Sequence, residues 1–190
     1  MAFAASDAHA GARTGWQPLS VEWAYYHALK RDGGKPHSGT TIDSMLEALR
    51  FDGQPDEAAW PYVNHLFTDT TGWVPPKAHP LFRRGNNPQT ASVQTIKDRL
   101  DADDPVLFTM SVSASFFRPS SDGIIDATEP LEPNRVHALI AVGHGRRRMK
   151  LFILARNSWG TAWGLDGYAW ISASYIEPRL LRAATMAGEL

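Results

Sequence analysis

Between Arg156 and Ile171 the chain reads Arg-Asn-Ser-Trp-Gly-Thr-Ala-Trp-Gly-Leu-Asp-Gly-Tyr-Ala-Trp-Ile, with three glycines and three tryptophans crowded together. Glycines that dense require a backbone of successive tight turns, where a positive φ is cheap only without a Cβ. Large indole rings between those turns imply packing over a polar group that is kept dry. That group is Asn157, which follows an apolar run ending at Leu154 and so falls at the end of an expected strand. Twenty positions upstream, His137 opens Val136-His-Ala-Leu-Ile-Ala-Val142, whose composition reads as a buried strand. If the two strands form a hairpin, the histidine at the mouth of one meets the asparagine at the end of the next.

His137-Ala138, the turn Gly143-His-Gly145, Asn157-Ser-Trp-Gly160, Trp163-Gly164 and Gly167-Tyr168 occur in an order and at distances that resemble the papain-like cysteine peptidases. The resemblance implies an α+β fold of two lobes, with a helical N-terminal lobe and an antiparallel, barrel-like β-rich C-terminal lobe. It implies His137 as general base and acid for a cysteine thiolate, Asn157 as the residue that orients the imidazole, and Trp159 as a lid over their hydrogen bond. It also implies a peptide or protein substrate in a groove between the lobes, with Ser38, Gly39, Thr40 and Val136 as substrate-binding positions. No cofactor and no metal belong to this chemistry.

The chain contains no cysteine. In papain-type enzymes the nucleophile precedes the His and Asn by roughly 130–150 residues, and it opens a helix followed by residues such as Ala-Phe-Ala. Met1-Ala2-Phe3-Ala4 looks like that helix begun one residue late. The expectation is therefore a peptidase sequence that starts at an internal Met, with the Cys and the oxyanion-holding Gln ahead of it. The competing expectation is an inactive papain-fold binding or regulatory module. A third is acyl transfer or deamidation on a related fold. A serine substitute is disfavoured, because Ser6 lies one to two turns into the first helix and Ser20 caps another.

The rest of the sequence bounds these readings. At 190 residues, with 43% apolar and 21% charged residues, the chain is long enough for a real core in one domain or two small lobes. The net charge of −1 gives no reason to expect nucleic acid or an anionic membrane as partner. No apolar run approaches a spanning helix, and the N-terminus lacks the basic region of a signal peptide, so the expected setting is cytoplasmic. Oligomeric state is not readable. His9, His27, His37, His65, His79 and His144 show no metal-ligand spacing.

Helical patterning falls in the first half and strands in the second, with a division near residue 90 into a lobe of 1–90 and a lobe of 91–190. The alanine-rich start reads as an uncapped helix ending near Gly15. Ser20 caps a second helix through Lys30, and Thr41 or its neighbour a third through Arg50. Residues 67–90 read as a surface crossover. Ser92 or Thr90 caps an amphipathic helix to Leu100, with Val93, Ile96 and Leu100 facing inward. Val106–Val112 and Tyr168–Ser172 read as strands, residues 116–133 as a turn-rich connection, and Arg179–Leu190 as a short helix or frayed tail. Arg146–Arg148 with Lys150 is a solvated hairpin tip.

Overall fold

A computed structural model describes all residues except 14, 15, 37, 66–70 and 133. The expected end of the first helix near Gly15, and His37, therefore lie outside the described residues. The chain packs as two compact units, residues 1–86 with 186–190 and residues 87–185.

The first unit is built from helices. Helix α1 (Ala2–Gly11) has no side-chain cap and buries Ala4, Ala5, Ser6, Ala8, His9 and Ala10. Small side chains on nearly every face let neighbouring backbone approach closely. Helix α2 (Val21–Asp32) begins where the Ser20 hydroxyl accepts the Trp23 amide, and ends at Gly33 in the left-handed conformation. Thr41 caps α3 (Ile42–Glu47) in the same way. The expected single helix through Arg50 stops short: Ala48–Asp52 widens into a π-helical turn, closed by Gly53 N–H donating to the Ala48 carbonyl at 2.9 Å. A polar network crosses this unit's interior. Gln54 donates from Nε2 to the Ser6 hydroxyl at 2.9 Å and to the Ser20 carbonyl at 2.8 Å. Its Oε1 accepts from His9 Nδ1 at 3.0 Å.

The second unit is a sheet with helices against it. Its strands are β2 (Val106–Ser111), β3 (Ile124–Ile125), β4 (Val136–Arg147), β5 (Lys150–Arg156), β6 (Tyr168–Ser172) and the first half of β7 (Leu180–Glu189). They lie in the order β7-β2-β4-β5-β6-β3, antiparallel except for the short β3–β6 pair. Every residue of β2 is buried, the polar Thr109 and Ser111 included, as in a strand covered on both faces. Phe108, Met110, Leu139, Ile153, Ile171 and Tyr175 form the centre of the core. Helix α4 (Val93–Leu100), capped by Ser92 as expected, presses Val93 and Ile96 onto that core; Leu100 is only partly buried. Two further short helices are α5 (Ala114–Phe117) and α6 (Ala173–Ile176).

Two further expectations are corrected. The segment Arg179–Leu190 is neither helix nor tail: Leu180–Thr185 pairs with β2, burying Ala183, Ala184 and Thr185. Alanine's helix preference yields to burial of small side chains against a core strand. The second correction is β1 (Arg84–Gln89), a strand within the presumed crossover. Its sequence Arg-Gly-Asn-Asn-Pro-Gln has little strand propensity, and its proline suits an edge position. In the first unit its Arg84 faces Glu189 at 3.7 Å, and the Leu190 amide donates to the Arg83 carbonyl.

Candidate active site

Strands β4 and β5 form the expected hairpin, joined at a turn in which Arg148 and Met149 both have positive φ. Ile140 lies opposite Arg156, so His137, three residues before Ile140, and Asn157, one beyond Arg156, come to the same end of the hairpin. The Asn157 backbone amide donates to the Gly167 carbonyl at 2.9 Å, which seats the residue against the glycine-rich turns. Those turns depend on glycine at 164, where φ is +60° and a Cβ would collide with the Tyr168 carbonyl oxygen. Gly164→Ala is expected to cost about 2 kcal/mol, read as a lower urea midpoint at unchanged slope.

His137 Nε2 and Asn157 Oδ1 are 2.7 Å apart. The same oxygen accepts the Ser158 amide at 2.8 Å. Two donors converging on one atom require the amide oxygen there, so the imidazole hydrogen sits on Nε2. Nδ1 is left as the free lone pair, with no hydrogen-bond partner among the described residues. Asn157 is buried, and its Nδ2 has no hydrogen-bond partner among the described residues. Burial pushes the His137 pKa below its usual value, and the Asn157 bond opposes that push. The ring is therefore neutral at pH 7 and able to take a proton.

Aromatic rings enclose the pair. The Trp159 indole lies 4.6 Å from the imidazole centre, and Phe116 approaches it edge-on at 5.5 Å. Phe117 stacks on Trp159 at 5.3 Å, and Trp163 Nε1 donates to the Phe116 carbonyl at 2.9 Å. Helix α5, which carries both phenylalanines, is itself tied down. Ser113 and Ser115 donate their hydroxyls to the Glu129 carboxylate, and the Ser113 amide donates to the Tyr175 hydroxyl at 3.0 Å. These serine hydrogen bonds hold the Glu129 pKa below the usual carboxylate range.

The structure thus brings His137, Asn157 and Trp159 together. Val136 precedes His137 on β4 and is exposed. Ser38, Gly39 and Thr40 belong to the first unit, where the Ser38 carbonyl accepts from the Tyr25 hydroxyl and Thr40 donates to Asp32, both at 2.6 Å. A side chain at Gly39 would meet nothing within 4 Å. Phe116 and Phe117 were not foreseen, because a helix of four residues is too short to show periodicity. His144 pairs with Ile153 within the β4–β5 ladder and bonds Asp101 at 2.6 Å.

The sequence model described as "Papain family cysteine protease" matches residues 9–184, and the chain belongs to that family. Among its relatives, the P34 probable thiol protease of Glycine max is 36% identical over 167 residues, 85% of this chain and 37% of that protein. The KDEL-tailed cysteine endopeptidase CEP2 of Arabidopsis thaliana is 36% identical over 77 residues, 40% of this chain and 21% of that protein. The chain therefore spans only a fifth to two fifths of these relatives. Xylellain, a cysteine protease from Xylella fastidiosa, superposes with a TM-score of 0.76 at 22% identity, over 97% of this chain and 78% of that one. The Carica candamarcensis cysteine protease CMS1MS2, solved in complex with E-64, gives 0.72 at 21% identity, over 98% of this chain and 86% of that one. The α+β fold is that of the papain-like proteases. Among the described residues no helix is long and apolar enough to cross a membrane.

Proposed function

We propose that this chain carries the base and the orienting residue of a centre that hydrolyses peptide bonds through a cysteine thiolate, which must come from outside these 190 residues. The observation that carries the reading is the 2.7 Å contact of His137 Nε2 with Asn157 Oδ1, covered by Trp159, with Nδ1 left open. A thiol against Nδ1 gives up its proton to the imidazole, and the thiolate attacks the scissile carbonyl. The imidazolium returns that proton to the leaving amine, and a water activated by the same ring then releases the acyl group. Asn157 keeps the ring in place as it gains and loses charge. The finer form of the reading places the cysteine, and a glutamine that donates to the oxyanion, in residues joined ahead of Met1. Ser38, Gly39, Thr40 and Val136 are proposed to contact the peptide, and the cytoplasm is the proposed setting, to be tested by cell fractionation.

The test is to join a Gln-x5-Cys segment ahead of Met1 and assay fluorogenic peptides beside the 190-residue chain. Hydrolysis that appears only in the extended chain and stops on thiol alkylation supports the reading. A folded extended chain that stays silent overturns it. A second reading, a groove that binds peptides without cutting them, is favoured by one observation, the absence of cysteine from the sequence. Saturable peptide binding by the 190-residue chain, together with silence of the extended one, would decide for it.

A further inference from the structure

The aromatic wall around His137 stands on one turn of helix that does not hold itself. Helix α5 is four residues long, and its N-cap Ser113 makes no side-chain capping bond to it. A single turn of that length does not form on its own in water. Phe116 is fully buried, but Phe117 is 45% and Trp159 39% exposed, so burial alone does not fix the stack between them. That stack governs how much water reaches the His137–Asn157 bond, because the Trp159 ring lies 4.6 Å from the imidazole centre.

Glu129, on the connection between β3 and β4, supplies the missing cap. Its carboxylate accepts the Ser115 amide at 3.2 Å, the Ser115 hydroxyl at 2.6 Å and the Ser113 hydroxyl. Because the Ser113 hydrogen goes to Glu129, the Tyr175 hydroxyl, 2.8 Å away, donates to Ser113 Oγ. Arg179 fastens the same connection by donating to the Glu129 carbonyl, and to the Tyr175 carbonyl at 3.1 Å. Three donors on one side chain call for both oxygens of an ionised carboxylate; an amide, with one acceptor oxygen, leaves at least one donor unmatched. We infer that Glu129 is a positioning residue for His137: it sets the start of α5 and, through Phe117, keeps Trp159 closed over the His137–Asn157 hydrogen bond. It acts through α5 and not on the imidazole. Its service to catalysis rests on the hydrolytic reading, but the positioning itself is measurable in the 190-residue chain, with no cysteine present.

The test follows the His137 Nε2–H proton and the titration of its ring by NMR in the ¹⁵N-labelled 190-residue chain. Glu129→Ala is expected to speed exchange of that proton with water ~10-fold. It should also move the ring's titration up toward the ordinary value near 6.5, because a better-hydrated imidazolium is less disfavoured. Phe117→Ala, at an exposed position, should do the same, and the double variant no more than either alone, since both act on one contact. Glu129→Gln should fall between parent and Glu129→Ala. Glu177→Ala is the control: it removes the carboxylate that accepts the Val93 amide of α4 at 2.9 Å, a helix-start bond of the same kind in the same unit. That variant should leave His137 unchanged. An unmoved His137 in folded Glu129→Ala would overturn the inference, as would an equal change in Glu177→Ala or additive effects of Glu129→Ala and Phe117→Ala. If Glu129→Ala does not fold, Ser115→Ala, which removes one donor and keeps the carboxylate, decides by the same exchange measurement: faster exchange supports the inference and unchanged exchange overturns it. A silent hydrolysis assay in the extended chain leaves these readouts untouched, so the two readings fail separately.

Discussion

In a chain extended with Gln-x5-Cys, His137→Ala is expected to lower kcat/KM for peptide hydrolysis by ~10³-fold, the range lost when a positioned acid–base residue is removed. The loss should fall mainly on kcat, because the imidazole acts on protons in flight rather than on bound substrate. Asn157→Ala should cost less, roughly 10- to 100-fold, since it removes the orienting acceptor and leaves the base. A change in pH also separates their roles. In the thiol-free chain, His137 is held below the ordinary histidine value by burial, so ring resonances followed by NMR should titrate below pH 6.5. A thiolate set against Nδ1 should raise that value, because a neighbouring negative charge favours the imidazolium. If the histidine titration does not move when the cysteine is supplied, the two groups are not paired.

Acid should unfold this chain through a different histidine. His9 is fully buried in α1, and burial lowers its pKa to about 4. The nearby Arg84 and Arg13 push in the same direction, while the Gln54 hydrogen bond and Glu189 oppose them. In the unfolded chain the same ring titrates near 6.5. Between those values the unfolded state binds the proton and the folded state does not, so stability falls as pH drops from 6.5 to about 4. Above 6.5 and below about 4 this residue contributes no further slope. The loss amounts to about 3 kcal/mol, a substantial fraction of the stability of a small protein. Denaturant midpoints measured from pH 7 to pH 4 should show it. His27 and His137 are also lowered by burial and add slope of the same sign. The His9 share is therefore the difference between the parent chain and His9→Asn, which keeps a donor for Gln54 and cannot titrate. Equal slopes in the two proteins would remove His9 as the cause.

The parts of this structure that were legible in the sequence are those whose cause is local. Ser20, Thr41 and Ser92 mark helix starts because a hydroxyl at the cap bonds an amide three residues on, a relation contained within four letters. The hairpin carrying His137 and Asn157 was readable for the same reason, since apolar runs, glycine turns and tryptophans all lie within forty residues. What escaped depends on distant partners. Arg84–Gln89 has no strand signal of its own, and Leu180–Glu189 looks helical until β2 is there to pair with it. Phe116 and Phe117 owe their position to Ser113, Ser115, Glu129 and Tyr175, which lie up to sixty-two residues apart. The widened turn at Ala48–Asp52 breaks a helical pattern that looked continuous.

Strand β7 imposes an order on biosynthesis. Residues 180–185 complete the sheet of the second unit, while residues 186–190 return to the first. A ribosome that has made all of 1–86 has still not made the segment that lies beside Gly85. The helical unit must wait, partly assembled, through about a hundred further residues, some 5–20 seconds at ordinary translation rates. During that interval the edge around Arg84–Asn86 is open to foreign strands, and a chaperone that shields it would raise the yield of native chain. A nonsense codon a few residues before the end would deprive the earliest-made half of its last partner, although it deletes only the latest-made residues.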